Sequence, residues 1–350
     1  MRQWIVRGVL LAAAGVSLYL LAPGLIAIFG SWHELKNLEP WWYAAAALFV
    51  AVSFVSLWEV QRIALRTPSW FAVGTSQLVG NAMGSLIPGG GATASAFSYR
   101  YLVTAGVSPS AAGAGMTASF LATTSAVLAL PVLAVPALIG GVATPKGLLQ
   151  TAYIGIAAFA LVVGVGAAAM LSDRPVLWAG RATRWVMSHT RRHASPDLPE
   201  RLLAQRDQVR DAFGDRWLFG VTAAVGKWGF LYAALICVLA ALGSRPNPSL
   251  VLLAFTAASL LGMIPITPGG LGFVETGLTG MLALAGVGAE VAAVATLAYR
   301  LLSFWLPLPA GGVAALLHRR RYGSSSPPKG SSAAVSAGTP SGSTSTHSTA

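Results

Sequence analysis

Two Pro-Gly-Gly stretches lie inside long apolar runs: Pro88-Gly89-Gly90-Gly91 and Pro268-Gly269-Gly270-Leu271-Gly272. Proline lacks an amide proton and collides with the preceding turn, and glycine is costly in a helix interior. Neither stretch can continue as regular helix. The chain is therefore expected to break two helices at corresponding places, and those breaks are the first candidates for a functional centre.

The setting of the breaks is a membrane. Hydrophobic residues make up 55% of the 350 residues and charged residues only 10%, against about 25% charged in a soluble domain. Several runs reach the roughly 20 apolar residues that cross a bilayer. Full spans are predicted at about 7–29, 41–65, 109–139, 148–171, 216–242 and 289–317. The run from Gly8 to Phe29 exceeds a typical signal-peptide core, so it reads as a first transmembrane helix. Regions 70–107 and 249–286 contain the breaks, and each reads as two half-length helices. The expected fold is an all-α, polytopic integral membrane protein with about six full spans and two broken or re-entrant helical hairpins.

Charge sets the predicted orientation. The net charge is +12. One topology puts 17 of the 23 Lys and Arg residues on the cytoplasmic face, nine of them between Asp173 and Arg216. Both termini are then cytoplasmic, and the basic balance needs no nucleic-acid partner. The transmembrane domain covers 1–320, and the tail 321–350, rich in Ser, Gly and Thr, is expected to be disordered. In the cytoplasmic loop 172–216, Asp197-Leu198-Pro199-Glu200 resembles a capped helix start. That segment reads either as a helix lying on headgroups or as a solvated connector.

Little else in the chain points to chemistry. Cys237 is the single cysteine, which excludes an intramolecular disulfide and a cysteine metal cluster. No histidine falls in a predicted span, and His189/His193 reads as a solvated face. No nucleophile has a recognisable partner, and Gly89-Gly90-Gly91 lacks the Gly-Lys-Ser/Thr of a phosphate loop. No enzyme activity, cofactor or metal is expected.

The two breaks share an offset. Pro88 and Pro268 are 180 residues apart, and the same offset superimposes Ala105-Gly106-Val107 on Ala285-Gly286-Val287. Over 81–129 against 261–309 there are 12 identities in 49 positions. That count is weak in so apolar a chain, and the two motifs at one spacing carry the reading. The repeat units run from about 70–140 and 249–317. Three predicted spans between the breaks invert the second unit, the architecture of many transporters, whose sites lie near the repeat interface.

Ionisable residues inside spans are functional candidates by default. They are Glu59, Arg100, Lys227, Glu275, Glu290 and Arg300. Glu59 and Arg62 are spaced to pair on one helix, and Glu290 is placed to cap its span. For Lys227, Glu275 and Arg300 the alternatives are substrate handling and ion pairs that fasten helices. The helix amino termini exposed at Pro88, Gly89, Gly90 and at Pro268, Gly269, Gly270, Gly272 suit an anion such as phosphate. Arg100 and Arg300 would add full charges.

The run Ile264 to Glu275, with Pro268-Gly269-Gly270-Leu271-Gly272 at its centre, resembles the lysylphosphatidylglycerol synthase transmembrane region family, also called flippase-like domain proteins. Ala298-Tyr299-Arg300-Leu301-Leu302-Ser303 through Gly311 is similar to that family's last helix, and Asn81 to Arg100 to its first-repeat segment. The resemblance implies a multi-pass protein of the bacterial inner membrane that moves lipids between leaflets. The implied cargo is a phospholipid, an aminoacylated phosphatidylglycerol or a polyprenyl-linked glycolipid. Substrate contact is then expected from Arg100, Lys227, Glu275, Tyr299 and Arg300, with envelope-biogenesis enzymes as possible partners. The chain departs from many members at Phe120, which the offset places opposite Arg300, so the site is expected to be asymmetric. Two other classes stay open: an inverted-repeat solute or ion transporter, and a non-transporting accessory protein.

Overall fold

The computed structural model describes residues 40–87, 90–139, 144–174, 177–178, 181, 207, 211–263 and 268–323. The predicted first span, the helix start at Asp197 and almost all of the tail lie outside them. Every regular element among the described residues is a helix, as the apolar composition requires of a chain that must satisfy its backbone within a bilayer.

Five helical stretches are long and apolar enough to cross a membrane. The first is α1 (Pro40–Ala64), which opens on proline at its first position and ends near Arg62. Next, α2 (Trp70–Leu86) and α3 (Gly90–Thr104) flank the first break. They are followed by α4 (Pro109–Ile139), α5 (Lys146–Leu171) and α6 (Trp217–Ala241). Then α7 (Pro248–Met263) and α8 (Phe273–Leu284) flank the second break. The last stretch is α9 (Ala289–Arg300) and α10 (Pro307–Tyr322). At 1.5 Å per residue, α2, α3, α7 and α8 are each about 18–26 Å long, too short to cross the roughly 30 Å hydrocarbon core.

Local chemistry sets the helix ends. The Ser69 hydroxyl accepts from the Ala72 amide at 3.2 Å and starts α2. Ile87 ends α2 in an extended conformation (φ −104, ψ 137), because a residue before proline is pushed out of the helical region. At the second break a short 3₁₀ turn, Pro268–Gly270, is followed by Gly272, and Gly269, Gly270 and Gly272 have φ of 60, 70 and 78. Only glycine takes that conformation without cost.

The two Ala-Gly-Val motifs end their helices in the same way. At the end of α3, Gly106 donates to Val103 O and Val107 to Leu102 O, at 3.0 and 3.1 Å. At the end of α8, Gly286 donates to Ala283 O and Val287 to Leu282 O, also at 3.0 and 3.1 Å. Each is a Schellman stop with a left-handed glycine, φ 93 at Gly106 and φ 90 at Gly286.

Helix α7 lies at the centre of the main core, buried along Leu250 to Ala258. Phe255, Leu253, Leu235, Leu239, Leu278 and Leu282 are the large side chains sealed around it. Helix α7 of the second unit is therefore enclosed by the other described helices. The first unit is closed differently, through small residues. Gly80 and Gly84 of α2 meet Ala94 and Ser98 of α3, and Gly311 brings α10 against Ala82 and the Leu78 carbonyl. Small residues allow such backbone approach where lipid provides no hydrophobic drive. On α5 the apolar side chains of Tyr153, Ile154 and Leu161 face outward, as expected of a lipid-facing span.

Two details differ from the sequence reading. The predicted span 289–317 is not one α-helix, since residues 301–305 form a π turn in which Leu306 donates to Leu301 O at 2.9 Å. Pro307 follows directly and cannot donate an amide hydrogen bond, so the ladder is re-phased there. The same segment continues to Tyr322, which brings His318 inside it. His318 is buried, with Nδ1 2.8 Å from Thr75 Oγ1 and Nε2 3.2 Å from Thr104 Oγ1.

Candidate functional site

The two breaks face each other across a cavity of about 230 Å³, bordered by Gly90 and Gly91 on one side and Gly269 and Gly270 on the other. It adjoins a larger cavity of about 470 Å³, and both are lined by Asn81, Gly91, Ala94, Gly262, Met263 and Gly269. The larger space reaches between α1, α4, α6 and α9. Its lining includes two basic side chains, Lys227 and Arg300, and no carboxylate. Phe120, 63% exposed, stands at its outer rim.

Arg300 is the last residue of α9, directly before the π turn. Its Nε donates to Glu275 Oε1 at 2.7 Å and its Nη2 to the Gly269 carbonyl at 3.1 Å. The guanidinium also lies over the Phe304 ring, 4.2 Å from its centroid. Glu275 occupies the first turn of α8, where the helix dipole favours a carboxylate. One arginine thus joins α8, α9 and the second break. The close fit extends to Gly269, where a Cβ would lie 2.5 Å from Phe304 Cζ.

Lys227 projects from α6, with Nζ 3.4 Å from the centroid of the neighbouring Trp228 ring. Trp228 is itself fixed, since Nε1–H donates to the Thr123 carbonyl of α4 at 2.7 Å. Phe255 packs edge-on against both Trp228 and Tyr299, with centroids 6.2 and 6.4 Å apart. Trp228, Phe255 and Tyr299 form one aromatic wall of the cavity.

Lys227, Tyr299 and Arg300 therefore line one space, and Glu275 stands behind Arg300. Arg100 does not join them. It is exposed and lines neither cavity. It lies ten residues beyond Gly90 on α3, about 15 Å along the axis, whereas Glu275 lies in the first turn after its break. Glu59 and Arg62 pair with two contacts of 2.7 Å, as their spacing predicted. Glu290 sits in the first turn of α9. Pro88 and Gly89 lie outside the described residues.

Several lining residues escaped the sequence reading: Gln77 and Asn81 on α2, Thr123 on α4, Trp228 on α6 and Ser259 on α7. Gln77 and Asn81 carried a readable signal, two amides four residues apart in an apolar helix. Among the described residues, no group of three His, Cys, Asp or Glu side chains is arranged to hold a metal.

The model of the lysylphosphatidylglycerol synthase transmembrane region matches residues 5–311. The chain belongs to this family. Membership identifies a multi-pass membrane protein, and nothing in the family's description assigns a catalytic activity to this region. One similar protein is a UPF0104 membrane protein of Methanothermobacter thermautotrophicus, 27% identical over 179 residues, 48% of this chain and 50% of that protein. Another is a UPF0104 membrane protein of Pyrococcus horikoshii, 33% identical over 99 residues, 28% of this chain and 30% of that protein. The match spans half of the first relative and under a third of the second. Both relatives are archaeal, so the bacterial setting implied by the resemblance is not specified by them.

Proposed function

We propose that this member of the lysylphosphatidylglycerol synthase transmembrane region family is a non-enzymatic lipid translocase of the cytoplasmic membrane, with both termini in the cytoplasm. The cargo is a lipid with a phosphate-bearing headgroup, such as a phospholipid, an aminoacylated phosphatidylglycerol or a polyprenyl-linked glycolipid. The observation that carries this reading is the larger cavity adjoining the breaks, which offers Lys227 and Arg300 and no lining carboxylate. A phosphate can only enter the membrane interior where cations and amide donors replace its water. The first turn of α3 borders the same space and adds amide donors. Phe120 at the rim lets acyl chains remain in lipid while the headgroup is held inside. Three spanning helices, α4, α5 and α6, lie between the two breaks, so the second broken segment would enter from the opposite face. One site would then be reachable from each leaflet in turn. Enzymes of envelope biogenesis that make or use the lipid are the natural partners.

Leaflet-resolved labelling in proteoliposomes tests this. Wild type is expected to move a phosphatidylglycerol probe between leaflets. Lys227→Met, which keeps the apolar stem and removes the charge, is expected to slow that movement at least about tenfold. Equal rates would remove Lys227 from the mechanism, and no movement across a broad lipid panel would remove the function.

A second reading has one specific support. Glu275 Oε2 is buried with no hydrogen-bond partner, which is an open position for a proton or a cation. Uptake of a solute linked to an imposed ion gradient, without lipid movement, would favour an inverted-repeat ion or solute transporter.

A further inference from the structure

A second cationic cavity lies apart from the first, where α1 ends and the chain enters α6. It encloses about 580 Å³ between Arg62, Arg66 and Thr67 on one side and Phe213, Asp215 and Arg216 on the other. None of these residues lines the central cavity. Arg66 is held at φ 50, the only non-glycine residue with positive φ among the described residues. That conformation is unfavourable for any residue with a Cβ, and here it lets the side chain cross to the Asp211 carbonyl, to which Nη2 donates. The strained arginine thus pins the two walls together and still faces the cavity.

The charges leave an excess. Glu59 neutralises Arg62 through two contacts of 2.7 Å. Arg216 and Asp215 form no ion pair with any described residue. With Asp215 offsetting one of Arg66 and Arg216, the described lining residues keep one net positive charge, matching the single negative charge of a phosphodiester. The Thr67 hydroxyl adds a neutral donor. The depth also fits. The lining residue Arg62 lies over Trp70, 5.0 Å from its centroid, and Trp217 directly follows the lining residue Arg216; both tryptophans are exposed. Exposed tryptophans of a membrane protein sit at the headgroup level.

We propose that this cavity is a second anion site, which takes the phosphodiester of an anionic membrane lipid at the interface. The same donors would admit inorganic phosphate from solution. The inference does not depend on transport through the central cavity.

The test is native mass spectrometry of the full-length protein titrated with dioleoylphosphatidylglycerol. Arg66→Gly suits the existing backbone, since glycine accepts φ 50 freely. Arg66→Gly and Arg216→Gln are each expected to weaken one lipid-binding step about tenfold, the scale of one charge-assisted contact. Asp215→Asn is expected to tighten that step several-fold. It preserves side-chain shape, so it reads the charge even if an arginine variant fails to fold. Unchanged binding by Asp215→Asn, or equal binding of zwitterionic phosphatidylcholine by wild type, overturns the proposal. Displacement of the lipid by inorganic phosphate would support the anion site and extend it to soluble phosphate. Retention of the lipid against phosphate would support the site as one for headgroups.

Discussion

Arg300 and Glu275 meet across the second break at 2.7 Å, yet the carboxylate uses only Oε1, and Oε2 is buried without a hydrogen-bond partner. The two side chains are 11% and 19% exposed. A buried pair with an unfilled acceptor is less than fully stabilised, because desolvation is only partly offset. Such a pair can exchange partners. Under the proposed function, an incoming phosphate would replace Glu275 as the partner of Arg300, so the guanidinium would stay paired.

A double-substitution cycle separates this role from simple fastening. Arg300→Met and Glu275→Leu singly each strand a partly buried charge and are expected to destabilise by about 3 kcal/mol. Together they remove both charges and are expected to recover most of that loss. Thermal unfolding in detergent reads the stability, and leaflet labelling reads transport. Recovery of stability without recovery of transport is the expected result. Full recovery of both would reduce the pair to a fastener.

Gly269→Ala tests the fit of the break itself. The new Cβ would lie 2.5 Å from Phe304 Cζ, on a backbone with φ 60. The backbone alone costs about 1–2 kcal/mol, and the clash adds to it. The unfolding midpoint is expected to fall in Gly269→Ala and to recover in part when Phe304→Leu is added. No recovery would show that the backbone, and not the Phe304 contact, dominates.

The repeat makes a paired prediction. Gly106 and Gly286 close equivalent turns, and a Cβ at either would meet open space. Gly106→Ala and Gly286→Ala should therefore cost the same, about 1–2 kcal/mol of left-handed strain each. Unfolding midpoints that differ widely between the two variants would sink the structural equivalence of the units.

Much of this was legible from local signals. Pro88 and Pro268 announced interrupted helices because proline and glycine act on their own backbone. The offset of Ala105-Gly106-Val107 and Ala285-Gly286-Val287 announced the repeat, and the same amides close the same turns in both units. Glu59 and Arg62 announced a pair because three residues bring side chains together on one helix. Arg100 shows the limit of this reasoning. Its unit matched, but its distance along α3 carries it away from the cavity. His318 shows another limit, since its burial depends on Thr75 and Thr104, more than 200 residues away in the chain.

By itself, the sequence determined an all-helical membrane protein and two broken helices, and it pointed to a repeated motif at one offset. Each follows from hydropathy, helix length or the backbone chemistry of proline and glycine, all of which act over a few residues. Only the tertiary structure decided which charges share a space. Lys227 and Arg300 line one cavity, and Trp228 beside Lys227 is bonded to the Thr123 carbonyl, 105 residues earlier in the chain. Arg300 reaches Gly269 because the π turn before Pro307 sets the end of α9. Such registers depend on side chains packing between helices distant in sequence, and no local pattern encodes them.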